Sequence, residues 1–317
     1  MLLAQKREAQ KYLQQISQEL DADIFVFHAP MDNREVNYLI EKVRETRNTS
    51  PRKSNVALFL TTQGGDLNSA YRLARFLKKK YKKLILFIFW HCKSAGTLLS
   101  IASDEIVMSD SGELGPLDAQ IIKEGDITRE SSLNIQESLK FISEQAPKMF
   151  NQFLYGIYSS DSGLREIVPF KVAEDIASKI TIGLLSPMSS QIEPARLGQI
   201  DREISVAKEY GERLNKNRSD IIDMLIRNYP SHNFVIDDQE VHTLFGECFR
   251  EPQEAEISLE KLISEILYNN WLIGSLAKIL EETPVQNEAE DQNNSNFDIN
   301  DDYKSLQVDN QETAALA

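Results

Sequence analysis

Four short apolar runs recur along the first third of the chain, each followed by a segment of different periodicity. They are Ile24 to Phe27, Val56 to Leu60, Leu84 to Trp90 and, after a leading Glu105, Ile106 to Met108. Runs that are continuous rather than alternating are strands covered on both faces, and strands of that kind alternate with helices in parallel sheets. The intervening segments fit. Asn33 to Arg47 places Val36, Leu39, Ile40 and Val43 at helical spacing, Asn68 to Lys80 is amphipathic and ends in a basic cluster, and Thr97 to Ala102 continues as a short helix. A further helix, Leu3 to Leu20, precedes the first strand with Leu13, Ile16 and Leu20 on one face. After Gly125 the pattern turns mostly helical, over Ser132–Tyr155, Lys171–Ile180, Pro194–Asn215, Asp220–Asn228 and Leu259–Leu280. The expected fold class is α/β, a mostly parallel sheet with flanking helices and a helical C-terminal part.

Residues 1–280 are expected to form the folded domain, and residues 281–317 an acidic disordered tail. From Glu281 to Glu312 the chain is dominated by Glu, Asp, Asn and Gln, too few apolar groups to offset the entropy of ordering. The tail contributes to a net charge of −14, which argues against a nucleic-acid partner. Cys92 and Cys248 make no disulfide framework. Met1-Leu2-Leu3-Ala4 is too short for a signal-peptide core, and Leu84–Trp90, the longest strongly apolar run, is far below a membrane span. A soluble cytoplasmic protein with no transmembrane segment is expected.

Two glycine-containing turns follow buried strands, Thr61-Thr62-Gln63-Gly64-Gly65-Asp66 and His91-Cys92-Lys93-Ser94-Ala95-Gly96-Thr97. In open α/β sheets, ligands bind beyond the carboxyl ends of the strands, so both turns belong to one rim. A serine at a helix start lies near backbone N–H groups that have no intrahelical partner. Gly64-Gly65 lets backbone approach a substrate without Cβ interference. Together these parts can build a nucleophile, Ser94, and an oxyanion hole from the N–H groups of Gly65 and Ala95. Taken alone, a glycine turn also merely ends a strand, and a helix-start serine also merely caps.

The order of these segments adds information. Thr62–Asp66, Lys93–Thr97, Ala102–Met108 and Leu114-Gly115-Pro116-Leu117-Asp118 occur in succession, with Ser94 29 positions after Gly65. This resembles the serine dehydrogenase proteinase family, a branch of the signal-peptide-peptidase-A and Clp-protease group within the Clp-protease/crotonase superfamily. A late stretch is similar too: Tyr229-Pro230-Ser231-His232, Ile236-Asp237, Glu240-Val241 and Leu244-Phe245-Gly246. The resemblance spans Asp23 to Pro252. It implies a Clp-protease/crotonase-like fold, Ser94 as nucleophile, and Gly65 and Ala95 as oxyanion-hole donors. It also implies that Gly64, Gly96, Gly115 and Asp118 shape the substrate cleft, that the substrate is a peptide or protein, and that the chain forms homo-oligomers.

The Clp-protease pattern supplies a histidine a few tens of residues after the nucleophile, but none lies between His91 and His232 here. The signal-peptide-peptidase-A pattern uses a lysine on a later helix. Such a base must be neutral, which burial among apolar groups favours. Lys140, within Ser138-Leu139-Lys140-Phe141-Ile142, is preferred, with Lys148 after Pro147 as alternative; each also reads as a solvated surface lysine. Lys93 is adjacent to the serine, where neighbouring side chains diverge, and Lys123 is a weaker option. Asp118 either orients the base or caps a turn, His232 either lines the cleft or makes a structural hydrogen bond, and Cys92 reads as a buried thiol. No His or Cys spacing suggests a metal site, and no cofactor is expected.

The leading expectation is a serine peptidase with a Ser-Lys dyad, binding extended peptide beside the Gly64-Gly65 strand edge. A crotonase-like acyl-CoA enzyme would share the fold and need a positioned carboxylate such as Glu105 or Asp118. A scaffold that has lost its base is the third reading.

Overall fold

The computed structural model describes residues 1–117, 120–122, 129–158, 168–267 and 271–284. Asp118, Lys123 and the expected tail from residue 285 onward lie outside them.

Helix α1 (Leu3–Glu19) leads into β1 (Ala22–His28), α2 (Asn33–Thr49), β2 (Asn55–Thr61), α3 (Leu67–Lys80) and β3 (Leu84–Ile88). Next come the two-residue β4 (His91–Cys92), α4 (Ala95–Ala102), β5 (Glu105–Met108) and β6 (Glu113–Leu114). A hairpin of β7 (Gln120–Ile122) and β8 (Arg129–Ser131) precedes the long helices α5 (Ser132–Tyr158), α6 (Phe170–Ser189) and α7 (Pro194–Leu214). The chain continues through α8 (Ser219–Arg227), α9 (Asp238–Phe245), β9 (Phe249–Arg250), α10 (Glu254–Leu267), β10 (Leu272–Ser275) and α11 (Leu276–Glu282).

The main sheet has six strands in the order β10-β1-β2-β3-β5-β9. All neighbours are parallel except β10, which runs antiparallel to β1 at one edge. This is the α/β, mostly parallel architecture expected from the unbroken apolar runs. Every residue of β3 is buried, and six of seven in β1 and in β2. Successive residues feed two cores. Phe25, Phe27, Leu58 and Leu86 pack with α2, α3, α4, α7 and α8, whereas Ile24, Val26, Phe59 and Phe87 pack with α1, α10 and α11. Phe59 and Phe87 stack with centroids 4.5 Å apart. Burying one such ring contributes roughly 2–3 kcal/mol.

Four sequence expectations are corrected. Leu259–Leu280 is not one helix: after α10 the chain returns as strand β10, with Phe25 opposite Ser275 and His28 opposite Leu272. Gly274 at φ +147° suits that extended edge and not a helix interior. The third strand ends at Ile88 rather than Trp90, and the helix after the second turn begins at Ala95 rather than Thr97. Glu281 and Glu282, assigned to the acidic tail, close α11.

α5 and α6 pack mainly on each other and carry much exposed apolar surface, including Phe141, Tyr155, Phe170 and Ile182. Among the described residues, no helix is long and apolar enough to cross a membrane.

Candidate active site

Beyond the carboxyl edge of the sheet, short segments are stitched into a second ladder. Thr62 N–H donates to His91 O (2.9 Å) and Lys93 N–H donates to Thr62 O (2.9 Å). Cys92 pairs with Leu114 across β4 and β6, and Leu114 exchanges two 3.0 Å hydrogen bonds with Ile236. On the other side, Met31 N–H donates to Gly64 O (2.8 Å) and Asp66 N–H donates to Met31 O (2.9 Å). This ladder brings the two glycine-containing turns together, as their common position beyond the strand ends predicts.

Ser94 is the N-cap residue of α4, half-exposed, at φ +49° and ψ −115°. A non-glycine residue in this region stores on the order of 1–3 kcal/mol of strain. A sharp strand-to-helix turn of this kind holds a serine hydroxyl clear of the backbone. The side chain makes no capping hydrogen bond. The turn is over-determined by its surroundings. Gly96 N–H donates to Lys93 O (2.9 Å), Thr97 N–H donates to Ser94 O (2.8 Å), and Thr97 Oγ1 donates to Gly115 O (2.7 Å).

The glycines are required by close approach. A Cβ on Gly64, at φ +102°, would lie 2.7 Å from Ser94 Cβ and 3.3 Å from Ser94 Oγ. One on Gly96 would meet Thr62 Cγ2 at 2.5 Å and Cys92 Sγ at 2.9 Å. Gly65, at φ +148°, has the Met31 backbone where a Cβ would go. Because Gly64 O and Asp66 N–H both bond Met31, the N–H of Gly65 between them faces the opposite side. Among the described residues, neither Gly65 N–H nor Ala95 N–H has a protein acceptor; Ala95 is the first residue of α4, where such orphans arise.

Lys93 turns away from its neighbour. Its ammonium pairs with Glu113 (2.7 Å) and donates to Leu114 O (3.2 Å), and its stem lies where a side chain on Gly115 would stand. Nothing in the local sequence announces Glu113 as its partner, because β6 is only two residues long. Cys92 is fully buried, and burial pushes its thiol well above the ordinary range, so it stays protonated. His91 and His28 sit half-buried at the rim. Burial lowers both below the ordinary imidazole value, and for His28 the charge of His91 acts in the same direction. At His91, Glu113 opposes that shift and Lys93 reinforces it. Lys140 and Lys148 both lie on α5 with exposed side chains, and His232 is half-buried in the segment before Ile236. Glu105, the carboxylate that a crotonase-like reading would need, accepts from Arg250 Nε at 2.6 Å, and Arg250 also binds Glu256. That carboxylate is engaged in structure. Among the described residues, no group of three or more His, Cys, Asp or Glu side chains could hold a metal ion.

Residues 23–153 match the ClpP-like SDH-type serine proteinase family, which covers β1 through most of α5 and both turns. The resemblance read from the motifs therefore holds at the level of the family. An uncharacterized protein of Methanocaldococcus jannaschii is 24% identical over 205 residues, which are 60% of this chain and 62% of that protein. A second from the same organism is 28% identical over 81 residues, 26% of this chain and 28% of its own length. The chain thus spans less than two thirds of these curated relatives. Two structures of the 1510-N membrane-bound stomatin-specific protease, one with a substrate peptide, align at 14% identity and a TM-score of 0.30. They cover 50% of this chain and 70% and 66% of theirs.

Proposed function

We propose that this chain is a serine peptidase in which Ser94 attacks the scissile carbonyl of an extended peptide. The observation that carries the reading is the strained, uncapped Ser94 at the start of α4, set against Gly64 with two acceptor-free amides on the same rim. In the proposed step, the oxygen of the tetrahedral intermediate accepts from Gly65 N–H and Ala95 N–H. Donors of this kind are each worth on the order of 10²–10³ in rate. Gly64, Gly96 and Gly115 keep the cleft open, and Asp118 is the candidate for orienting a base.

Lys140 is the proposed general base, with Lys148 as the alternative. A lysine accepts a proton only when neutral, and exclusion of water by apolar groups favours that form. In the single chain Lys140 is exposed between Leu139 and Phe141, themselves 44% and 51% exposed. A second copy packed on the α5–α6 arm would supply the missing apolar surroundings, so the active species is proposed to be a homo-oligomer. The free cysteines, one fully buried, fit a reducing compartment such as the cytoplasm.

The test is hydrolysis of a quenched fluorescent peptide library by wild type and by Ser94→Ala. The reading expects turnover from the first and none from the second. Equal turnover, or titratable binding of a CoA thioester by calorimetry without peptide hydrolysis, contradicts it.

A further inference from the structure

Away from the serine site, the surface carries a strong positive charge that the proposed reaction does not use. Between the later turns of α2 and α3 runs a groove made of two adjoining cavities of about 540 and 410 Å³. The first is lined by Arg44, Arg72, Arg75 and Lys79, and the second adds Arg47, Arg52 and Lys80. Arg44, Phe76 and Lys79 line both, so the groove is continuous. Its apolar floor includes Ile40 and Phe76, and Glu41, bonded to Arg44, is the acid in the lining. Basic residues in a last helical turn commonly serve only to offset the helix dipole. Here, however, cations from two helices and the Ser50–Ser54 connection converge on one depression, in a chain whose net charge is −14.

The groove therefore suits an acidic peptide with interspersed apolar residues, and the chain itself contains one. Residues 285–317 hold Glu288, Glu290, Asp291, Asp298, Asp301, Asp302, Asp309 and Glu312 against the single cation Lys304, with Phe297, Ile299 and Tyr303 among them. The attachment point is favourable. Lys278 of α11 lies 3.7 Å from Glu45 of α2 across the β10 edge of the sheet, while Lys6 of α1 holds the carbonyls of Glu281 and Thr283 at 2.8 Å, so the described chain ends on the α1 face close to that edge and the segment reaches the groove by passing round it. Thirty-three further residues can extend to roughly 100 Å, several times the ~25 Å length of α2. A tether of that kind gives an effective concentration near the millimolar range. We infer that the α2–α3 groove docks the acidic segment 285–317 of the same chain.

The full-length chain tests this by two readouts. Zero-length carbodiimide coupling, carried out on a mixture of isotopically heavy and light chains, should join Lys79 or Lys80 to carboxylates of residues 288–312 within one isotopic form. Cleavage of the segment by a Glu-specific protease should accelerate about tenfold in Arg75→Glu/Lys79→Glu and in high salt, since both weaken exposed ion pairs. Arg75 and Lys79 are exposed, and an unchanged thermal midpoint will verify that the variant is folded. Cross-links that avoid the groove, cross-links there that join heavy to light chains, or cleavage indifferent to the charge reversal would each overturn the inference.

Discussion

Gly64 and Ser94 are in contact across the two turns: the space a Gly64 side chain would need is filled by Ser94 Cβ at 2.7 Å. Each residue has positive φ, +102° and +49°, so neither turn can relax without moving the other. The pairing makes the position of the proposed nucleophile a property of two loops 30 residues apart.

Gly64→Ala follows directly. The new methyl group must displace Ser94 and adopt a backbone conformation that L residues avoid. The substitution should cost about 2–3 kcal/mol of stability. It should also slow serine labelling by about two orders of magnitude, the typical penalty for moving a catalytic group by 1 Å. Denaturant midpoints and labelling rates read the two effects separately; unchanged labelling would contradict the contact.

Lys93→Met should separate structure from chemistry at the residue next to Ser94, the proposed nucleophile. Removing the ammonium leaves Glu113 without its ion-pair partner and Leu114 O with the Ile236 N–H as its remaining donor. Glu113 is 39% exposed, so water compensates part of the loss, and about 1–2 kcal/mol is expected. Labelling should stay within about threefold of wild type, because a locked side chain takes no part in proton transfer. A loss comparable to that of Ser94→Ala would make Lys93 the base.

Lys140→Ala should lower kcat by about 10²–10⁴ without changing the oligomeric state, the usual contribution of a general base. Lys140→Arg should not restore activity, since a guanidinium is not deprotonated in proteins. Lys148→Ala should stay near wild type. The reverse pattern would transfer the role to Lys148, and full activity in both variants would remove the dyad.

Stability should fall on mild acidification. His28 and His91 both titrate below the ordinary 6.5 in the folded state, so the unfolded chain takes up protons first. Their contribution is complete above pH 6.5 and shrinks as the pH drops below it. The thermal midpoint should decrease from about pH 7.5 to about 5.5, and His28→Gln/His91→Gln should flatten that slope. Equal slopes would show that other groups set it.

The sheet was legible because the middles of β1, β2 and β3 are buried on both faces, which leaves the unbroken apolar runs Ile24–Phe27, Val56–Leu60 and Leu84–Ile88. The Gly64-Gly65 and Ser94-Ala95-Gly96 turns were legible because close approach and positive φ restrict what each position tolerates. Elements defined by distant pairing were not. β10 exists because Leu272–Ser275 adds to the edge of β1, nearly 250 residues earlier, and its own sequence also fits a helix. β6 is held by Cys92 on one side and Ile236 on the other, and so is the site for Glu113. The base stayed open for a related reason: Lys140 has apolar neighbours in sequence, but whether they exclude water depends on what covers α5.

The most direct measurement of the central claim is the site of fluorophosphonate modification. Wild-type protein treated with the probe and mapped by peptide mass spectrometry should carry a single adduct on Ser94, and Ser94→Ala should carry none. An unmodified Ser94 in folded, peptide-hydrolysing protein, or an adduct on another serine that persists in Ser94→Ala, would contradict the account.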